Sequence, residues 1–248
     1  MKIETLLTPA ELPALARRDL RGTACVVFDI LRATSTFVTA LQNGAKAIIP
    51  VSEIAEALEI KKAESGKRKA ETILLGGERN GVRISANGID FDLGNSPREY
   101  TPEKVRGKTI VSTTTNGTRA LRACAGAKII LASAFLNLAA TAKFLNQFAS
   151  SEVLLVCAGT GESAALEDVL AAGALAGLLG GEFSDVTEIA SRAFLAAKND
   201  LTAVIASSQN ARRLLAIPEL RADVAFCSQR DIFKTVAEMK PDGAIRLV

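Results

Sequence analysis

The strongest constraint on the fold is an alternation that runs the length of the chain: short apolar, β-prone runs separated by segments with helical spacing. Cys25–Ile30, Ala47–Val51, Ile73–Leu75, Thr109–Ser112, Ile129–Ala132, Val153–Cys157 and Val224–Cys227 read as strands. Several are apolar at every position, as strands covered on both faces must be. Ala33–Asn43, Ile54–Ala63, Gly117–Cys124, Leu138–Phe148, Ala165–Leu179, Glu188–Lys198 and Ala211–Ala216 carry helical periodicity. Strand and helix in turn predict a layered α/β/α fold with a largely parallel or mixed sheet. The 248 residues suffice for one large core. We read residues 1–248 as a single domain, with room for a smaller C-terminal lobe after about residue 180, where the chain becomes more helical and polar. Residues 76–104 read as a long, polar, Gly-punctuated connection, and a loop of that length inside a compact domain usually carries function.

Composition narrows the chemistry. There is no histidine, which removes Ser-His-Asp hydrolysis, Cys-His proteolysis and His-ligated zinc or iron. Acid–base work falls to Asp, Glu, Lys, Cys or the single Tyr100, the last read as surface or lobe packing. A metal, if used, would be a hard, oxygen-liganded ion. Lys and Arg total 30 against 27 Asp and Glu, a net charge of +3, and the basic block Lys67-Arg68-Lys69 stands alone, so nucleic acid is not an expected partner. Cys25, Cys124, Cys157 and Cys227 lie far apart without CxxC spacing and read as buried thiols. The N-terminus lacks a signal-peptide core, and no apolar run approaches the roughly 20 residues of a membrane span. A cytoplasmic protein with no membrane partner is expected, and a homo-oligomer is compatible with the sequence.

Three strand-to-helix junctions are unusually polar. The first delivers Asp29, Arg32 and Thr34-Ser35-Thr36; the second runs through Thr113-Thr114-Thr115-Asn116-Gly117-Thr118 to Arg119; the third is Ala158-Gly159-Thr160-Gly161-Glu162-Ser163, followed by Glu167 and Asp168. Ligands of α/β sheets bind outside the carboxyl ends of strands. Hydroxyl- and Gly-rich turns there offer N–H and O–H donors to an oxyanion, phosphate above all, and an Arg adds a bidentate fork. Any one such turn is ordinary helix capping; three together, one with an Asp–Arg pair, point to a site. GxxxxGK[ST] is absent, and Gly-Thr-Gly at 159–161 lacks the third glycine of a dinucleotide fingerprint.

Carboxylates are the second ingredient. Asp29 ends a buried-looking strand, where a lone acid needs a partner. Glu78 sits beside Arg79 just beyond another strand, and Asp90 and Asp92 share a face if that segment is extended. Glu167 and Asp168 diverge by about a hundred degrees on a helix, so both can face one site only near its end. As a set, these acids could hold Mg²⁺, which takes one or two carboxylates plus waters and phosphate.

The words FDILRATSTFVTALQNGA, LLGGERNG, GIDFDLGNSPREY, TTTNGTRAL, ASAFLN and VCAGTGESAALEDVLAAGAL, in that order, resemble the 2-phosphosulfolactate phosphatases (ComB-like proteins). The likeness runs from about Cys25 to Ala176, with a looser tail to Val248. It implies a Mg²⁺-dependent phosphoric monoester hydrolase that converts 2-phospho-3-sulfolactate to 3-sulfolactate and phosphate, on a route to coenzyme M. On this resemblance, Asp29, Arg32, Glu78 and Asp92 are the expected catalytic residues. Asp29, Glu78, Glu167 and Asp168 are the expected metal set, with Asp92, Glu167 or Asp168 also available as base. Ser35, Thr36, Arg79, Asn95, Ser96, Thr114, Asn116, Gly117 and Thr118 are the expected substrate-binding residues, with Arg98 and Arg119 nearby; Asn95 and Ser96 could equally shape the Pro97 turn. Direct attack by water is the simpler route, with a phosphoenzyme on Asp29, Ser35 or Thr114 as the other. The alternatives are a phosphatase of another 2-hydroxy-acid phosphate ester and a non-catalytic anion-binding relative.

Overall fold

The computed structural model describes residues 1–65, 72–86, 88–148 and 150–248. The Lys67-Arg68-Lys69 run lies outside these. The strands are β1 (Lys2–Leu6), β2 (Thr23–Phe28), β3 (Ala47–Val51), β4 (Ile73–Arg79), β5 (Val82–Arg83), β6 (Ser85–Ala86), β7 (Ile89–Asp90), β8 (Thr109–Thr113), β9 (Ile129–Ser133), β10 (Glu152–Cys157), β11 (Glu182–Phe183), β12 (Ala237–Met239) and β13 (Ile245–Leu247). The helices are α1 (Leu12–Leu15), α2 (Ala33–Gln42), α3 (Ile54–Ser65), α4 (Pro102–Val105), α5 (Gly117–Ala123), α6 (Leu138–Gln147), α7 (Leu166–Leu179), α8 (Asp185–Ala197), α9 (Leu201–Ala206), α10 (Gln209–Leu215) and α11 (Arg221–Cys227). Six of the expected strands are present at or within two residues of their expected starts, and the sheet is mixed, with most pairs parallel.

Eleven strands form one sheet in the order β11-β1-β10-β2-β9-β12-β13-β3-β8-β4-β5. Two parallel blocks, β1-β10-β2-β9 and β3-β8-β4, are joined by the hairpin β12–β13, antiparallel to β9 on one side and to β3 on the other. The C-terminal residues therefore sit in the middle of the sheet, and the chain after residue 180 is not confined to a lobe of its own. Every residue of β2, and α2 from Ala33 to Leu41, is buried. A helix buried on all sides must be enclosed by other layers. Here α2 packs on β9, β12 and β3 at once.

On the other face α7 packs against α8 through small residues. A Cβ at Gly173 would lie 2.0 Å from the Ala190 carbonyl oxygen, so only glycine allows the two backbones to approach this closely. Ser184 caps α8 by accepting from the Thr187 N–H.

Three expectations are corrected. Val224–Cys227 is not a strand but the end of α11, with Val224 and Cys227 turned inward; a four-residue apolar run cannot by itself separate a strand from one face of a buried helix turn. Residues 76–104 are not structureless: β4 extends to Arg79 and pairs with β5, the antiparallel pair β6 and β7 follows, and α4 closes the segment. Tyr100 is not surface packing. It is fully buried, its hydroxyl donates to the Gly94 carbonyl at 2.8 Å, and burial raises its pKa. The four cysteines are buried free thiols, as expected.

Candidate active site

The chain ends of β2, β4, β8 and β10 open onto one cavity of about 630 Å³. Asp29, Leu31 and Arg32 reach it from β2, Glu78, Asn80 and Gly81 from β4, Thr114, Thr115 and Asn116 from β8, and Gly159, Thr160, Gly161 and Ser163 from β10. Asn95 joins them. The opposite rim is helical: Gln209, Asn210, Arg213 and Leu214 of α10, followed by Ile217.

Asp29 is held in place by its own helix. Its Oδ1 accepts the Ala33 N–H at 3.0 Å, and its main-chain oxygen accepts the Thr34 N–H at 2.9 Å. Its Oδ2 lies over Gly117, where a Cβ would come within 2.7 Å of that oxygen and 2.7 Å of the Ala33 Cβ. Glycine at 117 is thus what lets the β8 turn approach the acid. Burial, reinforced by the neighbouring Glu78 and Glu167 carboxylates, pushes the Asp29 pKa up to about 6 against the help of the Ala33 N–H.

Of the other three acids of the expected metal set, Glu78 lines the cavity with Asp29, while Glu167 and Asp168 stand behind its wall, and they differ in what their oxygens do. Glu78 accepts from the Thr115 N–H and hydroxyl through Oε1 and from the Gly81 N–H through Oε2, bracing the β4 turn against the β8 turn. Asp168 accepts the Ile30 N–H at 2.8 Å and the Gly159 N–H at 3.0 Å, tying the ends of β2 and β10 together. Burial, Glu167 and Asp29 raise its pKa. Glu167 accepts from the Asn210 amide at 2.7 Å through Oε1, while its Oε2 is buried without a hydrogen-bond partner. Both acids sit in the first turn of α7, which is how adjacent helical residues come to serve one site. Uncommitted carboxylate oxygens therefore remain on Asp29 and Glu167.

Arg32 lies at the cavity floor, 3% exposed. Its Nη1 donates to Asp223 Oδ2 at 2.8 Å and its Nη2 to the Gly81 carbonyl at 2.6 Å. Asp223, on α11, is completely buried, and its Oδ1 accepts from the Ser96 hydroxyl at 2.7 Å. Sequence reasoning missed Asp223 and the α10 residues. Their positions follow from how α10 and α11 pack, and no local motif marks them.

Other expected residues are support rather than lining. Ser35 donates to the Ile30 carbonyl, Thr36 to the Asn95 carbonyl and Thr118 to the Thr114 carbonyl. Ser96 serves Asp223, and Gly117 serves Asp29. Arg79 turns to the Ser52 carbonyl and the Thr113 hydroxyl. Asp92 accepts the Leu75 N–H at 2.8 Å and pairs with Lys61, so its carboxylate stands behind β4 and not in the cavity. Arg119 pairs with Glu162 in solvent, and Arg98 reaches toward Asp223 from the surface. Many of the N–H groups expected to hold an anion hold these acids instead. Asn95, Thr114 and Asn116 do line the cavity, with the Asn95 Oδ1 buried and unpartnered. Cys157 is a poor nucleophile, since burial and the nearby acids push its thiol well up.

The donor set suits a hard divalent cation. It consists of carboxylate oxygens with no histidine, and the buried, unpartnered Glu167 Oε2 and the elevated Asp29 both call for positive charge. Among the described residues no three acidic or thiol side chains converge into a protein-only cage.

The family model for 2-phosphosulpholactate phosphatase matches residues 7–242. A protein of Thermotoga maritima named probable 2-phosphosulfolactate phosphatase is 45% identical over 212 residues, covering 85% of this chain and 86% of its own. Proteins of the same name from Caldanaerobacter subterraneus subsp. tengcongensis and Clostridium perfringens are 40% identical over 233 residues (92% of both chains) and 35% identical over 250 residues (100% of this chain and 97% of the relative). No described helix is long and apolar enough to cross a membrane.

Proposed function

The chain belongs to the 2-phosphosulpholactate phosphatase family of phosphoric monoester hydrolases, and we propose that its cavity hydrolyses 2-phospho-3-sulfolactate to 3-sulfolactate and phosphate with the help of Mg²⁺. The observation that carries the reading is Asp29. It is a carboxylate with one uncommitted oxygen, raised in pKa, beside a buried arginine on the floor of a polar cavity.

Arg32 keeps N–H groups beyond the two that bind Asp223 and Gly81, and those left over would hold phosphate oxygens in the fork geometry that suits them. Asn95, at the same wall, adds a neutral polar group, while the Asn116 amide is spent on the Ala158 and Gly159 carbonyls and fixes the β10 turn. Asp29 Oδ2 would orient the attacking water and accept its proton. Glu78 and Asp168 act as positioning residues, because each fixes two of the loops that deliver the reacting groups. Glu167, through its unpartnered Oε2, would help hold Mg²⁺ close to Asp29, and the ion's contribution when bound is to neutralise phosphate charge and acidify a water. Clamping of this kind carries most phosphoryl-transfer catalysis. A cytoplasmic setting belongs to the same proposal and is supported by four buried free thiols, as does supply of a coenzyme M route.

Phosphate release from racemic 2-phospho-3-sulfolactate, measured with Mg²⁺ and with EDTA, tests it. Turnover that needs the cation is expected. A folded protein that binds the ester but never releases phosphate would leave the anion-binding alternative in its place.

A further inference from the structure

Two cations line the cavity, and they are not equivalent. Arg32 is paired with the buried Asp223 at 2.8 Å and anchored to the Gly81 carbonyl at 2.6 Å, so its charge is matched before any ligand arrives. Arg213, exposed on α10, lines the cavity, and its side chain makes no ion pair or hydrogen bond to any of the described residues. Its scaffold is nevertheless firm. The Asn210 amide donates to the Thr160 hydroxyl at 2.6 Å and to Glu167 at 2.7 Å, pinning α10 to the strand-end wall. Ser208 caps the helix by accepting the Ala211 N–H at 3.2 Å. Gln209 and Asn210, four and three residues before Arg213, share its face and line the cavity with it. An unmatched guanidinium on an anchored helix, across from carboxylates, suits an oxyanion that is not the one being cleaved.

Resting on the phosphatase reading, we propose that Arg213 determines specificity: it holds a second oxyanion of the substrate, carried next to the phosphorylated carbon, while the Asp29–Arg32 wall holds the phosphate. That oxyanion is a carboxylate or a sulfonate, groups of the same charge with oxygens that a guanidinium fork matches. Asn210 positions α10, and Gln209 adds a neutral donor.

The test compares wild type with Arg213→Gln and Arg213→Lys on three esters: 2-phospho-3-sulfolactate, 2-phospholactate and isopropyl phosphate, which has neither second group. Losing a charge-assisted contact should lower the kcat/KM ratio of phosphosulfolactate over isopropyl phosphate roughly ten- to a hundredfold in Arg213→Gln, through KM, with the lysine variant between. An equal fall for 2-phospholactate assigns the carboxylate, and a fall confined to phosphosulfolactate assigns the sulfonate. An unchanged ratio, or the same loss on all three esters, overturns the proposal. Calorimetric binding of 3-sulfolactate gives a readout free of turnover. If wild type hydrolyses nothing, the phosphatase reading fails, yet about tenfold weaker 3-sulfolactate binding by Arg213→Gln still upholds the role of Arg213. Equal binding by both proteins, or none by wild type, overturns it.

Discussion

The cavity has two walls built by different rules. One is made of the turns that leave β2, β4, β8 and β10, where each polar side chain sits within a few residues of a buried strand. The other is made by α10, which reaches the cavity only because the C-terminal chain packs back across it, with α11 standing behind Arg32. The strand-end wall carries the acids and arginine that would do chemistry. The helical wall contributes a fixed carboxylate, Asp223, behind Arg32 and a free guanidinium, Arg213, in front. Chemistry thus rests on local chain geometry, whereas positioning and selection rest on tertiary packing.

Removing Asp29 strikes the first wall hardest. Asp29→Asn keeps the shape and an acceptor for the Ala33 N–H but loses the charge, and turnover should fall about a thousandfold or more, roughly 4 kcal/mol of barrier. Steady-state phosphate release checks this; a loss of less than tenfold would move the chemistry off Asp29. Removing Asp223 strikes the second wall through stability. Asp223→Ala leaves the Arg32 guanidinium buried without its counter-charge, and the cost should be about 3–5 kcal/mol in urea unfolding. Asp223→Asn, which can still accept from Ser96, should cost less.

The elevated Asp29 gives the strand-end wall a pH signature. Its folded pKa of about 6 lies above the ordinary carboxylate value of 3.8, so between these values the folded protein holds a proton that the unfolded chain has released. Stability without metal should therefore fall as pH rises from about 4 to about 6, by about 2–3 kcal/mol at most, and the deficit should persist at neutral pH. Asp29→Asn should lack Asp29's share of this fall and be more stable than wild type at pH 7.5 while being inactive. Mg²⁺ should raise the wild-type melting temperature more at pH 7.5 than at pH 5, because the site it would fill is then ionised. Melting curves across that range, with and without Mg²⁺, decide both points. The smallest effect belongs to Gly117→Ala, whose methyl would crowd Asp29 and Ala33 and cost about 1–3 kcal/mol. A variant as stable and active as wild type would show that the close approach of the β8 turn is dispensable.

The same division explains what the sequence made legible. Asp29, Arg32, Glu78, Thr114 and Asn116 were all visible, because a buried strand followed by a polar turn and a helix states where a side chain must point. The cluster of Glu167 and Asp168 was visible too, since helix termini lie at the same edge. What failed was the distinction between lining and bracing. Arg79 sits beside Glu78 in one motif and Asp92 in the next, yet each turns to a main-chain group behind the wall, and hydrogen-bond competition of that kind has no one-dimensional pattern. Asp223 and Arg213 lie on short amphipathic helices that look like any surface helix. Their roles exist only once α10 and α11 are docked. For the same reason the four apolar residues Val224–Cys227 read as a strand.

Whether one wall reacts and the other selects is read from kcat and KM for 2-phospho-3-sulfolactate, measured on Asp29→Asn and Arg213→Gln side by side. Asp29→Asn should lose kcat with little change in KM, while Arg213→Gln should raise KM with kcat largely retained. Both substitutions acting on the same parameter would contradict this division.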